Sequence, residues 1–167
     1  MLARRVGVLE HRVMRIPELR EASDIKGTRE LKGVPRTYIP MKNAVFYSLG
    51  AAYAEEKGSG CLMGGHNADD MRVFDDTSEE FFSSLQEAFR AGSARLRRNG
   101  LKILRPLKGM TKVEVVKTAS KLGVPLELTW SCHLSGKEHC WQCEGCKARL
   151  RAFREAGVAD PLFSKKV

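Results

Sequence analysis

Four of the five cysteines fall in one stretch, Cys132-His-Leu-Ser-Gly-Lys-Glu-His-Cys140-Trp-Gln-Cys143-Glu-Gly-Cys146. The last three follow a C-x2-C-x2-C spacing, and seven residues separate them from Cys132. A thiolate binds zinc at about 2.3 Å, and four of them close a tetrahedral structural site. Close spacing lets one tight turn present several sulfurs to one ion, with Gly136 and Gly145 supplying backbone freedom. The stretch reads as a four-cysteine zinc site, with Cys132, Cys140, Cys143 and Cys146 as ligands in a loop over 130–147. An iron–sulfur cluster also takes four cysteines, and the spacing alone leaves that choice open. A disulfide would suit an oxidising compartment, and nothing marks secretion. A redox C-x2-C would leave two cysteines without a task. His133 and His139 could replace a sulfur, but beside four cysteines they read as exposed loop residues. Cys61 reads as a small core residue.

A second group with chemical potential is Gly64-Gly-His66-Asn67-Ala-Asp69-Asp70. It follows the short apolar run Cys61-Leu-Met63, where a strand ends and the chain turns. Parallel α/β sheets bind ligands at that edge. The formal net charge is +9, with basic clusters at Arg95–Arg98, Lys102–Lys108 and Lys147–Arg151. Such an excess favours anionic partners such as nucleotides or RNA, although any single charge run reads more readily as a solvated face.

The positioning elements follow from periodicity and breakers. A strand is predicted over 11–16, stopped by Pro17, then a loop with one helical turn over 17–40. A helix over 42–57 places Val45, Leu49, Ala52 and Tyr53 on one face and ends at Gly58. Cys61–Met63 reads as a buried strand. Thr77 and Glu80 form a capping-box pattern that opens a helix to about residue 98. Leu101–Leu104 is a strand stopped by Pro106. A second capping box, Thr111 to Glu114, opens a helix ending at Gly123, and a last helix covers 147–156. Alternating strands and helices predict one α/β domain over 1–167, with a parallel sheet flanked by helices on both faces. The few strands suggest either a segment missing at one end or a homodimer. At 43% hydrophobic residues the chain can build a core, and it has no apolar run of membrane-spanning length. Without a signal-peptide pattern the expected location is cytoplasmic.

Taken in order, the motifs resemble a known family. Tyr38-Ile-Pro-Met-Lys42-Asn43 comes first, then Gly65-His-Asn67-Ala-Asp-Asp70, Asp76 and Glu80-Phe81. Pro106-Leu107, Thr111-Lys112 and Thr129-Trp130-Ser131-Cys132 with the cysteine knuckle follow. This order is similar to the 7-cyano-7-deazaguanine synthases, the QueC (ExsB) family of PP-loop ATP pyrophosphatases, from about residue 5 to Leu162. The Thr-Trp-Ser-Cys lead-in is the most specific part. The resemblance implies an adenine-nucleotide α-hydrolase-like sheet and conversion of 7-carboxy-7-deazaguanine and ammonia to the nitrile, with ATP and Mg2+. The product would feed queuosine or archaeosine in tRNA. It implies structural zinc, Lys42 and Asn43 near the nucleotide, Asn67 and Asp70 lining the site, and Asp76 and Glu80 meeting the base.

Two departures bear on this. The family's Tyr-Pro-Asp-Cys-Arg is Phe74-Asp75-Asp76-Thr77-Ser78 here, without its arginine. The Ser-Gly-Gly-x-Asp-Ser loop that cradles pyrophosphate in the family does not occur in the sequence. The expectation is therefore a chain that begins inside the helix after that loop, binds zinc and turns over ATP poorly alone. The alternatives are a zinc-stabilised tRNA- or RNA-binding module using Trp130, His139 and Trp141, or another PP-loop activity on tRNA using Cys61.

Overall fold

The structure is a computed structural model of the chain, and it describes residues 2–19, 38–134 and 136–163. Most of the segment expected to hold a loop with one helical turn, 17–40, lies outside the described residues. The chain divides into two compact units, one of residues Met14–Gly109 and one of Met1–Val13 with Met110–Val167.

In the first unit, helix α2 covers Lys42–Lys57 and ends at Gly58, whose φ of 70° is left-handed backbone that glycine adopts without strain. Strand β1, Cys61–Met63, pairs in parallel with β2, Lys102–Leu104, with Leu62 opposite Ile103. Between them lie the short helix α3, Ala68–Met71, a 3-10 turn over Asp75–Thr77, and helices α4, Glu79–Gly92, and α5, Ala94–Asn99. The core is Ala51, Leu96 and Leu101, with Leu62 and Phe89 packed against it. Helix α4 also covers the outer edge of β2: Ile103 N donates to Gln86 Oε1 at 2.8 Å, and Arg90 Nε donates to Leu101 O at 2.9 Å. Those bonds occupy groups that an open sheet edge would leave unpaired.

Five expectations are corrected here. Strand β1 is not buried. Cys61 is exposed and Met63 is 69% exposed, because alternate strand residues point to opposite faces and only Leu62 meets the core. Leu104 is exposed as well, so the described sheet is packed by Leu62 on one face only, where helices on both faces were expected. The long helix from Thr77 to residue 98 is two helices. Ser93 leaves helical geometry, accepts from Leu96 N at 3.1 Å to cap α5, and donates to Glu55 Oε1. Serine favours such caps over helix interiors, and Gly92 before it is a weak helix former. The helix start is also displaced. Ser78 accepts from Phe81 N and caps α4, while Thr77 Oγ1 donates to the carbonyls of Phe74 and Asp70. Glu80 therefore forms no capping box. Residues 11–16 carry no strand.

The second unit holds α1, Leu2–Arg5, α6, Lys112–Lys121, a 3-10 turn over Leu126–Leu128, and α7, Glu144–Ala156. The Thr111–Glu114 capping box forms with both reciprocal bonds. Val116, Ala152 and Phe153 make the core, joined by Leu126, Ala156 and Val158. Helix α7 begins at Glu144, three residues before the expected start, because its first turn carries two of the four cysteines.

Candidate functional site

The cysteine cluster is assembled by the loop before α7 and by its first turn. Cys143 is the N-cap of α7 and Cys146 lies one turn in, so both sulfurs face the positive end of the helix dipole. The four Sγ atoms lie within 4.8 Å of one another. Cys140 and Cys146 are 3.9 Å apart, as are Cys143 and Cys132. Four sulfurs at about 2.3 Å from one ion stand about 3.8 Å from each other in a regular tetrahedron. The described thiols therefore fit a closed tetrahedral metal site.

Backbone N–H groups point at the sulfurs. Cys140 Sγ accepts from Gln142 N at 3.5 Å and Cys143 N at 3.3 Å, Cys132 Sγ from Cys140 N at 3.4 Å, and Cys143 Sγ from His133 N at 3.4 Å. The bonds from Gln142 and Cys143 bring the Cys140 thiol down to about 6. Burial pushes Cys143 up, but the N–H groups of His133 and Cys146 outweigh it and leave the thiol below its usual range. Burial pushes Cys146 up to about 12. Packed sulfurs cannot all carry charge without a cation between them, so metal binding must strip protons from this set. Gly145 permits the fold: a Cβ there would lie 2.1 Å from Ser131 O.

His139 is not an exposed loop residue. It is buried between Trp130 and Trp141, with ring centroids 4.3 and 5.0 Å away, and its Nε2 accepts from Ser131 N at 3.0 Å. Three aromatic rings in twelve residues offered a stacking signal, but the side each ring faces depends on the turn at Trp141, whose φ is 58°. His133 is exposed, as expected.

In the unit of residues 14–109, the other candidates gather where the parallel strands end. Asn67 Oδ1 accepts from Asp69 N and Asp70 N at 3.0 and 3.2 Å, capping α3. Asn67 Nδ2 donates to Asp70 Oδ2 at 2.7 Å. Asn43 and Asp76 are also brought together and are both buried. Asn43 N donates to Asp76 Oδ2 at 3.2 Å, and Asn43 Nδ2 to Asp76 O at 3.0 Å. The Asp76 carboxylate thus caps α2 from a distance in sequence, in place of the left-handed Met41 at the N-cap, which makes no side-chain cap. Lys42 is half-buried as the first residue of α2. Glu80 is exposed, and no hydrogen bond joins it to these pairs among the described residues.

Three further residues at this edge, Tyr47, Phe82 and Arg105, were not singled out from sequence. Phe82 is buried and ringed by Tyr47, His66 and Arg105, with Tyr47 and His66 centroids each 4.9 Å away and the Arg105 guanidinium 4.6 Å from the ring. Burial pushes His66 below its usual value; Asp70 and Asp76 oppose this, while Arg105 and Lys42 reinforce it. Gly64 makes room for Tyr47, since a Cβ there would lie 1.8 Å from the phenol oxygen. The basic cluster over 102–108 was visible in sequence, but not that Arg105 alone of it turns inward.

The model of the family described as "Queuosine biosynthesis protein QueC" matches residues 3–157. A protein of Thermoplasma acidophilum named 7-cyano-7-deazaguanine synthase is 39% identical over 143 residues, which is 83% of this chain and 60% of that protein. One of the same name from Thermoplasma volcanium is 40% identical over 133 residues, 80% of this chain and 55% of the relative. One from Trichodesmium erythraeum is 35% identical over 176 residues, covering 97% of this chain and 79% of that protein. The chain thus spans 55–60% of the length of the two Thermoplasma relatives. Both the cysteine cluster and the sheet-edge residues fall inside the matched stretch, and the chain belongs to the family of queuosine biosynthesis protein QueC.

Proposed function

We propose that the protein acts in 7-cyano-7-deazaguanine synthesis, converting 7-carboxy-7-deazaguanine and ammonia to the nitrile at the expense of ATP and Mg2+. The observation that carries this reading is the meeting of Asn43 with Asp76 and of Asn67 with Asp70 where the two parallel strands end, in a chain of this family. A carboxylate resists ammonia, so one of its oxygens must first attack the α-phosphorus of ATP and expel pyrophosphate. Ammonia then displaces AMP and gives the amide. The amide oxygen attacks the α-phosphorus of a second ATP and expels a second pyrophosphate; loss of AMP and of the nitrogen-bound protons then leaves the carbon–nitrogen triple bond.

In this reading Lys42 neutralises phosphate oxygens and Asn43 fixes the start of α2 beside them. Asn67 and Asp70 shape the turn that lines the site. Asp76 and Glu80 accept from the N–H groups of the guanine-like base. Cys132, Cys140, Cys143 and Cys146 hold a structural zinc, whose four-sulfur shell has no open position for substrate or water.

A non-catalytic RNA-binding module is the second reading, favoured by the half-exposed Trp130 and the charge of +9. Against it, Trp130 Nε1 donates to Cys132 O at 2.8 Å and Trp141 packs on Phe163, so both rings serve the knuckle. Zinc content measured together with MgATP binding separates the two. The first reading expects one zinc per chain and saturable MgATP binding. Salt-dependent tRNA binding without any affinity for nucleotide would favour the second.

A further inference from the structure

Arg105 follows β2 directly, as Gly64 and His66 follow β1, so its guanidinium lies at the same sheet edge as the residues above. Its side chain is 5% exposed, and its Nη2 meets Glu79 Oε1 at 2.7 Å. Among the described residues, Nε and Nη1 of Arg105 have no hydrogen-bond partner, and neither has Oη of Tyr47. Buried donors left without partners cost stability, and such groups call for a specific cause. Both side chains pack on the same Phe82 ring.

In a guanidinium, Nε–H and one Nη2–H run parallel and match the two oxygens of a carboxylate or phosphate. Glu79 takes only the Nη2 donor, because its second oxygen turns to Lys108 Nζ at 3.2 Å. Glu79 is 64% exposed and stands at the start of α4, so its carboxylate can rotate into water. Moving it would leave the Arg105 guanidinium, with Nε free beside Nη2, and the Lys108 ammonium facing one vacated position.

We propose that Arg105 and Lys108 form an oxyanion-binding site, which Glu79 fills as an exchangeable internal carboxylate until a ligand displaces it. The site's chemistry, a carboxylate or a phosphate, rests on the geometry alone. That the ligand is a substrate of the reaction rests on the functional reading above. Glu79 then serves two ends: it keeps Arg105 partly satisfied in the free protein, and it sets a threshold that weak anions do not pass.

The test is calorimetric titration of the zinc-loaded chain with pyrophosphate, MgATP and 7-carboxy-7-deazaguanine, for the wild type, Glu79→Gln and Arg105→Lys. Glu79→Gln removes the competing charge and should tighten binding about two- to fivefold, the fold-change matching an exposed ion pair. Arg105→Lys keeps the charge but loses the paired donors, and should weaken binding at least about tenfold. Enhancement by Glu79→Gln cannot arise from misfolding, so it stands as a test even if the Arg105 variant fails to fold. Changes confined to the deazaguanine acid make the carboxylate the ligand; changes confined to MgATP and pyrophosphate make it a phosphate. If pyrophosphate alone binds and responds, the site stands and the functional reading falls. Unchanged or weaker binding by Glu79→Gln, or no binding of any probe by the wild type, overturns the proposal.

Discussion

Replacing Arg149 with methionine gives a test whose size follows from the geometry. Arg149 and Asp160 form a two-point ion pair, with Nε to Oδ2 at 2.6 Å and Nη2 to Oδ1 at 2.8 Å. Both side chains are only 4% exposed. Arg149 also donates from Nη1 to Thr129 Oγ1 at 2.7 Å and lies 4.7 Å from the centre of the Phe153 ring. One guanidinium therefore ties α7 to the segment before the cysteine loop and to the chain after α7. Methionine keeps much of the stem's volume and leaves Asp160 as a buried charge. Breaking a buried pair in this way costs about 3–5 kcal/mol. At about 2–4 °C per kcal/mol for a chain of this size, the melting temperature should fall by roughly 6–20 °C. Circular dichroism melts at pH 7 read this directly. Adding Asp160→Asn should restore part of the loss by removing the orphaned charge.

The pH dependence supplies a second check on the same pair. Burial pushes the Asp160 carboxyl up, but the bonds from Arg149 outweigh burial and hold it below the usual carboxylate range. A depressed carboxyl contributes stability that is complete above the unfolded value of about 3.9 and is lost as pH falls through the folded value. The gap between wild type and Arg149→Met should therefore narrow below about pH 4. A shift under about 2 °C at pH 7, or a gap that widens in acid, would refute this assignment.

Other outcomes follow from the same structure. Cys143→Ser should lower the bound metal and destabilise the unit that carries α7, read by metal analysis alongside thermal melts; full metal content with an unchanged melt would count against a structural site. Gly64→Ala should cost about 1–3 kcal/mol through the clash with Tyr47, and Tyr47→Phe in the same chain should recover part of it in urea unfolding. Asp76→Ala removes the distant cap of α2 and should cost about 1–2 kcal/mol, with faster amide exchange at Asn43. Ser93→Ala should cost about 1 kcal/mol by uncapping α5.

Local signals carried much of the architecture. Helix α2 starts at Lys42 and stops at a left-handed glycine, as its pattern predicts, and the Thr111–Glu114 box forms as written. The cysteine spacing likewise brings four sulfurs together, because three of them sit in or beside one helical turn. What sequence reasoning missed depends on partners distant in the chain. Whether Thr77 or Ser78 caps α4 is decided by the carbonyls of Phe74 and Asp70, which claim the threonine. The exposure of β1 depends on what covers the sheet, and three residues of strand carry no sign of that. Arg105 and Arg149 look like any other cations of a basic chain until the fold turns them inward onto Phe82 and Asp160. Of the sheet-edge candidates, Asn43 with Asp76 and Asn67 with Asp70 were chosen by resemblance, and each also does structural work as a helix cap.

The most direct test of the central claim is the binding of 7-carboxy-7-deazaguanine to the zinc-loaded protein, compared with Asn67→Ala and Glu80→Gln. Saturable binding that weakens at least about tenfold in either variant, with the melting temperature of Glu80→Gln kept, is the expected result. Failure of the wild type to bind the acid, or equal affinity in all three proteins, would contradict the assignment of this sheet edge as the substrate site.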